Sequence, residues 1–428
     1  MESLIIAIFI IGYAAIAFEH FIKVNKAASA LITGVLCWTV YILYSTNHHD
    51  VSIQLEHHLG GLSGILFFLL CAMTIVEIID AHKGFDFVTS LITQKDKRKL
   101  LWILSFVTFF MSSALDNLTT TIVVISLLKK LVHETKDRLF FAGIMVIAAN
   151  AGGAWSPIGD VTTTMLWIGN QITTSAIIYQ CIFPSIISLM LPLLVVSFHL
   201  KGNVKSHEKT VINYEETISL SQRHQRFILF CGLSLLLLIP VFKTITHLPP
   251  YMGALIALGI LWVITEFIND KKDEKTKMRL SIGRALKNVD TQSILFFLGI
   301  LLSVASLESI GVLSQLSTSL ATHIKNQNMI VYLIGMISAI IDNVPLVAAA
   351  QGMYGLSIYP TDNSFWLFLA YAAGNGGSIL IIGSAAGVAA MGLEKISFFW
   401  YLKKISFLAF LGYSAGALAF ILQQYFIS

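Results

Sequence analysis

Ser112-Ser113-Ala114-Leu115-Asp116-Asn117-Leu118-Thr119 puts an acid and an amide in the middle of an apolar stretch over about 100–132. Ile340-Ile341-Asp342-Asn343-Val344-Pro345 does the same to a second stretch, over about 328–358. A helix needs about 20 apolar residues to cross the hydrocarbon core, and each half of these stretches is short for that. Both therefore read as re-entrant hairpins that dip in and return to the same side. Around them lie apolar runs long enough to span, at about 3–20, 27–45, 62–80, 138–168, 175–199, 225–243, 250–268, 291–310, 364–392 and 397–426. The expectation is an all-α polytopic membrane protein of about ten transmembrane helices plus two hairpins.

Composition supports this class. The chain is 56% hydrophobic and 12% charged, about half the charge of a soluble domain. The run Leu4 to Phe18 has no positive charge before it and no small-residue cleavage site after it, so it reads as a retained first span rather than a signal peptide. Cys37, Cys71, Cys181 and Cys231 all fall in apolar runs without CxxC spacing and read as small core residues. The segment from His48-His49-Asp50 to Glu56-His57-His58 reads as a solvated outer loop.

Threading the chain with both termini outside leaves only Lys243 and Lys325, of 28 lysines and arginines, on the outer side. That bias is what the positive-inside rule demands. Making either hairpin a span would invert everything downstream and destroy it. Runs such as Lys95-Asp96-Lys97-Arg98-Lys99 are thus topology determinants, and no nucleic-acid partner is expected. The lipid bilayer is the expected environment, and the membrane is expected to be the bacterial inner membrane.

The two halves repeat each other. Ile65-Leu66-Phe67-Phe68-Leu69 recurs as Ile294-Leu295-Phe296-Phe297-Leu298, and Ser112-x-x-x-Asp116-Asn117 as Ser338-x-x-x-Asp342-Asn343. Gly152-Gly153-x-x-x-x-Ile158-Gly159 recurs as Gly376-Gly377-x-x-x-x-Ile382-Gly383. The order is kept. Five spans per half makes the halves opposite in orientation: residues 1–200 form a first inverted repeat, 201–224 a cytoplasmic linker, and 225–428 a second repeat. Inverted repeats whose broken helices meet at the membrane midplane mark secondary transporters.

The acids suggest the cargo. Non-helical backbone at membrane depth is tolerated only where protein or a water-filled cavity satisfies it, and a charged Asp there costs about 2.5–3.5 kcal/mol on the lenient scale. Asp116, Asp160 and Asp342 all sit deep, and no lysine or arginine lies within their own elements. They need a proton or a bound cation, which is what a cation/proton antiporter requires. Asn117, Asn150, Thr162, Thr163, Ser338, Asn343, Asn375, Ser378 and Ser384 supply hard oxygen donors suited to an alkali cation. Glu77, late in its span, reads either as a proton-relay or pH-sensing group or as a carboxylate snorkelling to the interface. No soft-metal cluster is evident. A membrane-embedded hydrolase would need a nucleophile with its base, or a histidine pair, within the spans, and neither is evident.

With these residues in view, the chain resembles the NhaD-type sodium/proton antiporters of the ion transporter superfamily. The resemblance rests on Ser112 to Thr121, the block Ala149 to Thr164, Ile341 to Leu346, and Gly374 to Gly387, so it covers both halves. It implies a scaffold domain and a transport domain moving like an elevator, a homodimer, and export of Na⁺ and Li⁺ driven by proton entry, with no cofactor beyond the transported ions. It carries the ion site to Asp116, Asn150, Asp160, Thr162, Thr163, Asp342 and Asn343. Between Ser378 and Ser384 the chain has no hydroxyl, only Ile379 to Ile382. The competing reading is a sodium-coupled dicarboxylate or an arsenite transporter of the same superfamily. Dicarboxylate carriers of that type present Ser-Asn-Thr at the hairpin tips, where Asp-Asn stands here.

Overall fold

Two helices, Thr135–Gly153 from Phe141 onward and Ser364–Gly376 from Phe365 onward, are apolar on nearly every face and buried there, which is where a helix hydrophobic all round must go. The computed structural model describes residues 1–90, 92, 94–204, 220–270, 272–324 and 326–427. Of the linker placed at 201–224, residues 205–219 therefore lie outside the described residues, as do Lys271 and Lys325.

The principal helices are α1 (Glu2–Ala17), α2 (Lys26–Tyr44), α3 (His48–Ala81), α4 (Lys97–Leu115), α5 (Asn117–Leu131), α6 (Thr135–Gly153), α7 (Val161–Ile168) and α8 (Thr174–His199). They continue with α9 (Gln222–Thr246), α10 (Pro250–Asn269), α11 (Thr291–Ser309), α12 (Gln327–Ile337), α13 (Asn343–Met353), α14 (Ser364–Gly376), α15 (Ala385–Glu394) and α16 (Ser406–Ile427). Among the described residues no strand forms, and eight helical segments are long and apolar enough to cross a membrane. The protein is a polytopic all-α membrane protein. Exposed side chains such as Ile11, Leu43, Phe198 and Phe267 form the apolar exterior that lipid covers.

Three expectations are corrected. The segment from His48 to His58 is the first part of the long helix α3, not a loop; Asn47 starts it by accepting from the Asp50 N–H. The first half of the 100–132 hairpin is α4, 19 residues long, nearly the length of a crossing, whereas α12 and α13 have 11 each. The third concerns Lys26 and is taken up with the site.

Packing gathers the helices into sets that share contacts, with α13 lying on α11. α2 lies along α11, with Gly34 against the Gly299 carbonyl, and α1, α3, α9 and α10 pack around them. α4, α5, α6 and α15 enclose a second core of Leu104, Phe109, Val124, Phe141 and Met145. α12 packs on α14, and α14 on α8 and α16.

The ends of α6 and α14 are positioned by close backbone approaches. A Cβ at Gly152 would collide with the Phe109 carbonyl of α4, and one at Gly376 with the Gly335 carbonyl of α12. Beside these crossings, Ser112 Oγ donates to the Ala149 carbonyl at 2.6 Å and Ser338 Oγ to the Ala373 carbonyl at 2.9 Å. Each hairpin tip is thereby held beside the break of a buried helix.

At the far end of α3, burial, with a smaller contribution from the Lys272 charge, pushes the His82 imidazole down to about 4. Its Nδ1 lies 2.8 Å from the Ile78 carbonyl and must carry the hydrogen, so Nε2, 3.3 Å from Asn269 Nδ2, accepts and ties α3 to α10.

Two outcomes follow from this packing. Gly152→Ala forces apart two backbones that cannot yield. It is expected to lower stability by about 1–3 kcal/mol, read as a drop in the thermal midpoint in detergent, with a larger loss for Gly152→Val. Because the folded His82 value lies below the free 6.5, its contribution is complete above that pH and is lost as the pH falls towards 4. His82→Gln should therefore flatten the decline of the melting temperature over that acid range.

Candidate functional site

Four helices begin at one place. α5 starts after Asp116, α7 after Asp160, α13 after Asp342 and α15 after Ser384, and each of these residues caps its helix. The Asp116 carboxylate accepts from the Thr119 N–H and Oγ1, both at 2.8 Å. Asp160 Oδ1 accepts from the Thr162 N–H and Oγ1, both at 2.9 Å. Asp342 Oδ1 accepts from the Val344 N–H at 3.3 Å, and Ser384 Oγ from the Gly387 N–H at 3.2 Å. A helix N-terminus carries partial positive charge and favours an anion. Here the chain supplies three of those anions itself.

A line of amides joins the caps. Asn117 Nδ2 donates to Asp160 Oδ2 at 2.6 Å and to Asn150 Oδ1 at 3.0 Å, and Asn150 Nδ2 donates to Ser384 Oγ at 2.9 Å. Asn343 Nδ2 reaches both Asp160 oxygens, at 3.4 and 3.5 Å. Asp160 is 2% exposed, and all its partners are neutral donors. Thr163 turns its hydroxyl back onto the Asp160 carbonyl at 2.9 Å. The fold thus brings Asn117, Asn150, Asp160, Thr162, Thr163, Asn343 and Ser384 into one buried network, and Asp116 lines a small cavity with Asp160 while its carboxylate stays on Thr119.

Other residues named from sequence have their side chains engaged elsewhere. The Ser338 hydroxyl latches α12 to α14, and the Ser378 hydroxyl donates to the Asn375 carbonyl at 2.6 Å. Asn375 accepts from Ser188 of α8 at 2.9 Å and donates to the Tyr371 carbonyl at 3.0 Å. Hydroxyls bonded to nearby backbone are the common case in helices.

Asp342 corrects the expectation that the deep acids have no basic partner. Lys26 Nζ, from the first residue of α2, lies 3.3 Å from Asp342 Oδ2. Lys26 counted only towards orientation in the sequence, because its partner is 316 positions away. Its position at the start of a span, where a long side chain reaches inward, was the signal available.

Asp116 is also unusual in its backbone, with φ +86° and ψ 158°. That left-handed region normally belongs to glycine, and holding a branched side chain there costs about 1–3 kcal/mol. The strain lets α4 end and α5 begin at a single residue.

Two cavities adjoin the network. One of about 200 Å³ is lined by Glu77, Asp80, Asp86, Thr119, Lys130 and Asp290. Its neighbour, of about 400 Å³, is lined by Glu19, Lys26, Asp290, Gln292 and Ala385, and the two share Leu118, Ile122 and Asp290. Glu77 thus shares a cavity with Thr119, the residue that holds Asp116.

The citrate-transporter family model matches residues 6–374. The chain belongs to that family. Sodium/proton antiporter 1 of Arabidopsis thaliana is 48% identical over 97% of this chain and 71% of its own length. Sodium/proton antiporter 2 of the same plant is 45% identical over 97% and 98%. The Na⁺/H⁺ antiporter NhaD of Vibrio cholerae is 30% identical over 92% of this chain and 86% of its own. The resemblance drawn from the hairpin tips and glycine breaks is thus matched by the relatives. Like them, the family member described here is a multi-pass secondary transporter and not an enzyme.

Asn150→Ala cuts the link between the Asn117 amide and Ser384 while leaving every carboxylate in place. Leaving buried partners unsatisfied costs about 1–3 kcal/mol, so the thermal midpoint should fall and transport should drop at least about tenfold. Asp116→Gly should behave oppositely in stability: relief of strain offsets the lost cap and the midpoint stays near wild type, while transport is lost.

Proposed function

We propose that the protein exchanges cytoplasmic Na⁺, and Li⁺, for external H⁺, with both competing for Asp116 and Asp160 at the meeting point of the broken helices. The observation that carries this is the occupancy of the helix N-termini. A carrier of citrate or another polyanion needs those N–H donors for its cargo. Here the carboxylates of Asp116, Asp160 and Asp342 take them up. A dianion brought to this centre meets fixed negative charge, whereas a small hard cation meets carboxylate, amide and hydroxyl oxygens. The names of the relatives support Na⁺/H⁺ exchange, and the family description, which mentions citrate, supports the fold.

Competition accounts for exchange. A dehydrated cation at Asp160 neutralises a carboxylate otherwise surrounded only by neutral donors, and protons do the same when they arrive. Either loaded form is electrically compensated within the membrane; the empty form carries uncompensated charge, which is costly there. Reorientation is thereby confined to loaded forms, which is the condition for antiport. The arrangement we infer is two inverted repeats whose hairpins are re-entrant, in an inner-membrane homodimer with both termini outside and a moving transport unit containing α4 to α7 and α12 to α15. The cavity containing Glu77 would then be the cytoplasmic access route, with Glu77 relaying protons towards Asp116.

The test uses everted vesicles from a strain without its own antiporters. A respiration-driven pH gradient should collapse on adding Na⁺ or Li⁺, and Asp116→Asn and Asp160→Asn should each reduce this at least about tenfold, about 1.4 kcal/mol of barrier. Citrate should have no effect and should not be accumulated. If no cation dissipates the gradient from neutral to alkaline pH in well-inserted protein, the exchange reading is wrong and anion uptake takes its place.

A further inference from the structure

The Lys26–Asp342 pair ties the start of α2 to the tip between α12 and α13. Lys26 opens α2, and the start of that helix is held at two points: Asn25 Nδ2 donates to Gln292 Oε1 of α11 at 2.8 Å, and the Lys26 N–H donates to Glu19 at 3.2 Å. From there the lysine side chain passes over the Phe296 ring, its ammonium 4.3 Å from the centroid, and ends on Asp342. Asp342 lies at the tip between α12 and α13, and α13 itself packs on α11. A cavity of about 50 Å³ surrounds the pair, lined also by Tyr13, Glu19, Ile340 and Val388. The Tyr13 hydroxyl is buried there without a hydrogen-bond partner. The space suits a water or a small ion rather than another side chain.

We propose that Lys26 is a tethered cation that occupies Asp342 when no transported ion does, and so locks the unloaded protein. This rests on the exchange reading above. While Asp342 is a free carboxylate, the ammonium holds the α12–α13 tip to the α2–α11 pair. Once a sodium ion or a proton neutralises Asp342, the attraction is gone and the tip is released from Lys26. Loading is thereby linked to movement. The ammonium also competes with sodium for the same carboxylate. Lys26 is a positioning residue: it acts on cargo only through Asp342. Glu19, whose carboxylate holds the Lys26 backbone in the same cavity, is placed to receive the ammonium when it leaves.

Two signs distinguish a lock from a merely structural pair. Removing the ammonium removes a competitor, so Na⁺ should bind more tightly; and it removes the restraint on the empty form, so Na⁺ should leak without proton exchange. Purified protein in proteoliposomes loaded with ²²Na⁺, at equal alkaline pH on both sides and with valinomycin and K⁺ clamping the voltage, reads the leak. Wild type should be slow. Lys26→Gln and Lys26→Met should be faster by roughly fivefold or more, the low end of typical coupling between sites, with a lower KM for Na⁺ in the exchange assay. Lys26→Arg, which keeps the cation, should resemble wild type. Calorimetric Na⁺ binding to the purified proteins gives the same ordering without transport. Neutral variants that fold normally but match wild type in leak and in Na⁺ affinity overturn the lock while leaving exchange intact. A wild type that neither binds nor exchanges Na⁺ overturns the exchange reading itself, and the lock with it.

Discussion

Everything at the centre of this protein depends on four helices starting inside the protein, at buried positions. A helix start exposes N–H groups that nothing in hydrocarbon can satisfy. The chain answers with its own side chains: Asp116, Asp160, Asp342 and Ser384 each accept from an N–H within the following turn. The carboxylates that satisfy the backbone are the same ones we propose to hold the cargo. One set of oxygens faces the helix ends, and the rest of each carboxylate is turned to amides, to hydroxyls or, for Asp342, to Lys26.

That arrangement requires helices that stop in the right place, and close contact is how they do it. Gly152 and Gly376 let α6 and α14 press onto the carbonyls of α4 and α12, and two serine hydroxyls fasten the same crossings. Larger residues would separate the hairpin tips from the breaks by the width of a side chain. The amide line from Ser384 through Asn150 and Asn117 to Asp160 spans those distances only because the backbones already touch. Packing and polarity therefore constrain each other: the glycines have meaning through the acids they bring near.

Under the proposed reading, the same logic sets this member apart from the anion carriers implied by its family's name. An N-terminus left free attracts a carboxylate from outside; one capped by Asp already has its own. A change of a few side chains on a common scaffold is enough to reverse the sign of the cargo, because the dipoles stay where they are and only their occupant differs. The asymmetry between the sets is equally local. Asp160 and Ser384 cap matching helices, α7 and α15, so one carries a charge and the other does not.

Much of this was legible in the residues. Apolar runs with few charges define membrane helices, because a backbone in lipid must bond to itself; an Asp-Asn pair or a Gly-Gly with a nearby proline inside such a run marks where it fails to. Those local rules located the hairpin tips, the breaks and the three acids, and a single chain sufficed. They misread His48 to His58, where polar side chains outside the hydrocarbon leave helix and loop equally permitted, and they rated α4 too short. Distances across the chain were beyond them. Periodicity cannot say that the Asn375 amide turns to Ser188, that Ser338 and Ser378 spend their hydroxyls on carbonyls, or that Lys26 reaches Asp342. The sequence by itself determined where the backbone breaks and which charges lie at depth, since burial and hydrogen bonding act over a few neighbouring residues; only the tertiary structure decided which charge meets which partner, because that depends on how separately folded helices come to rest against one another.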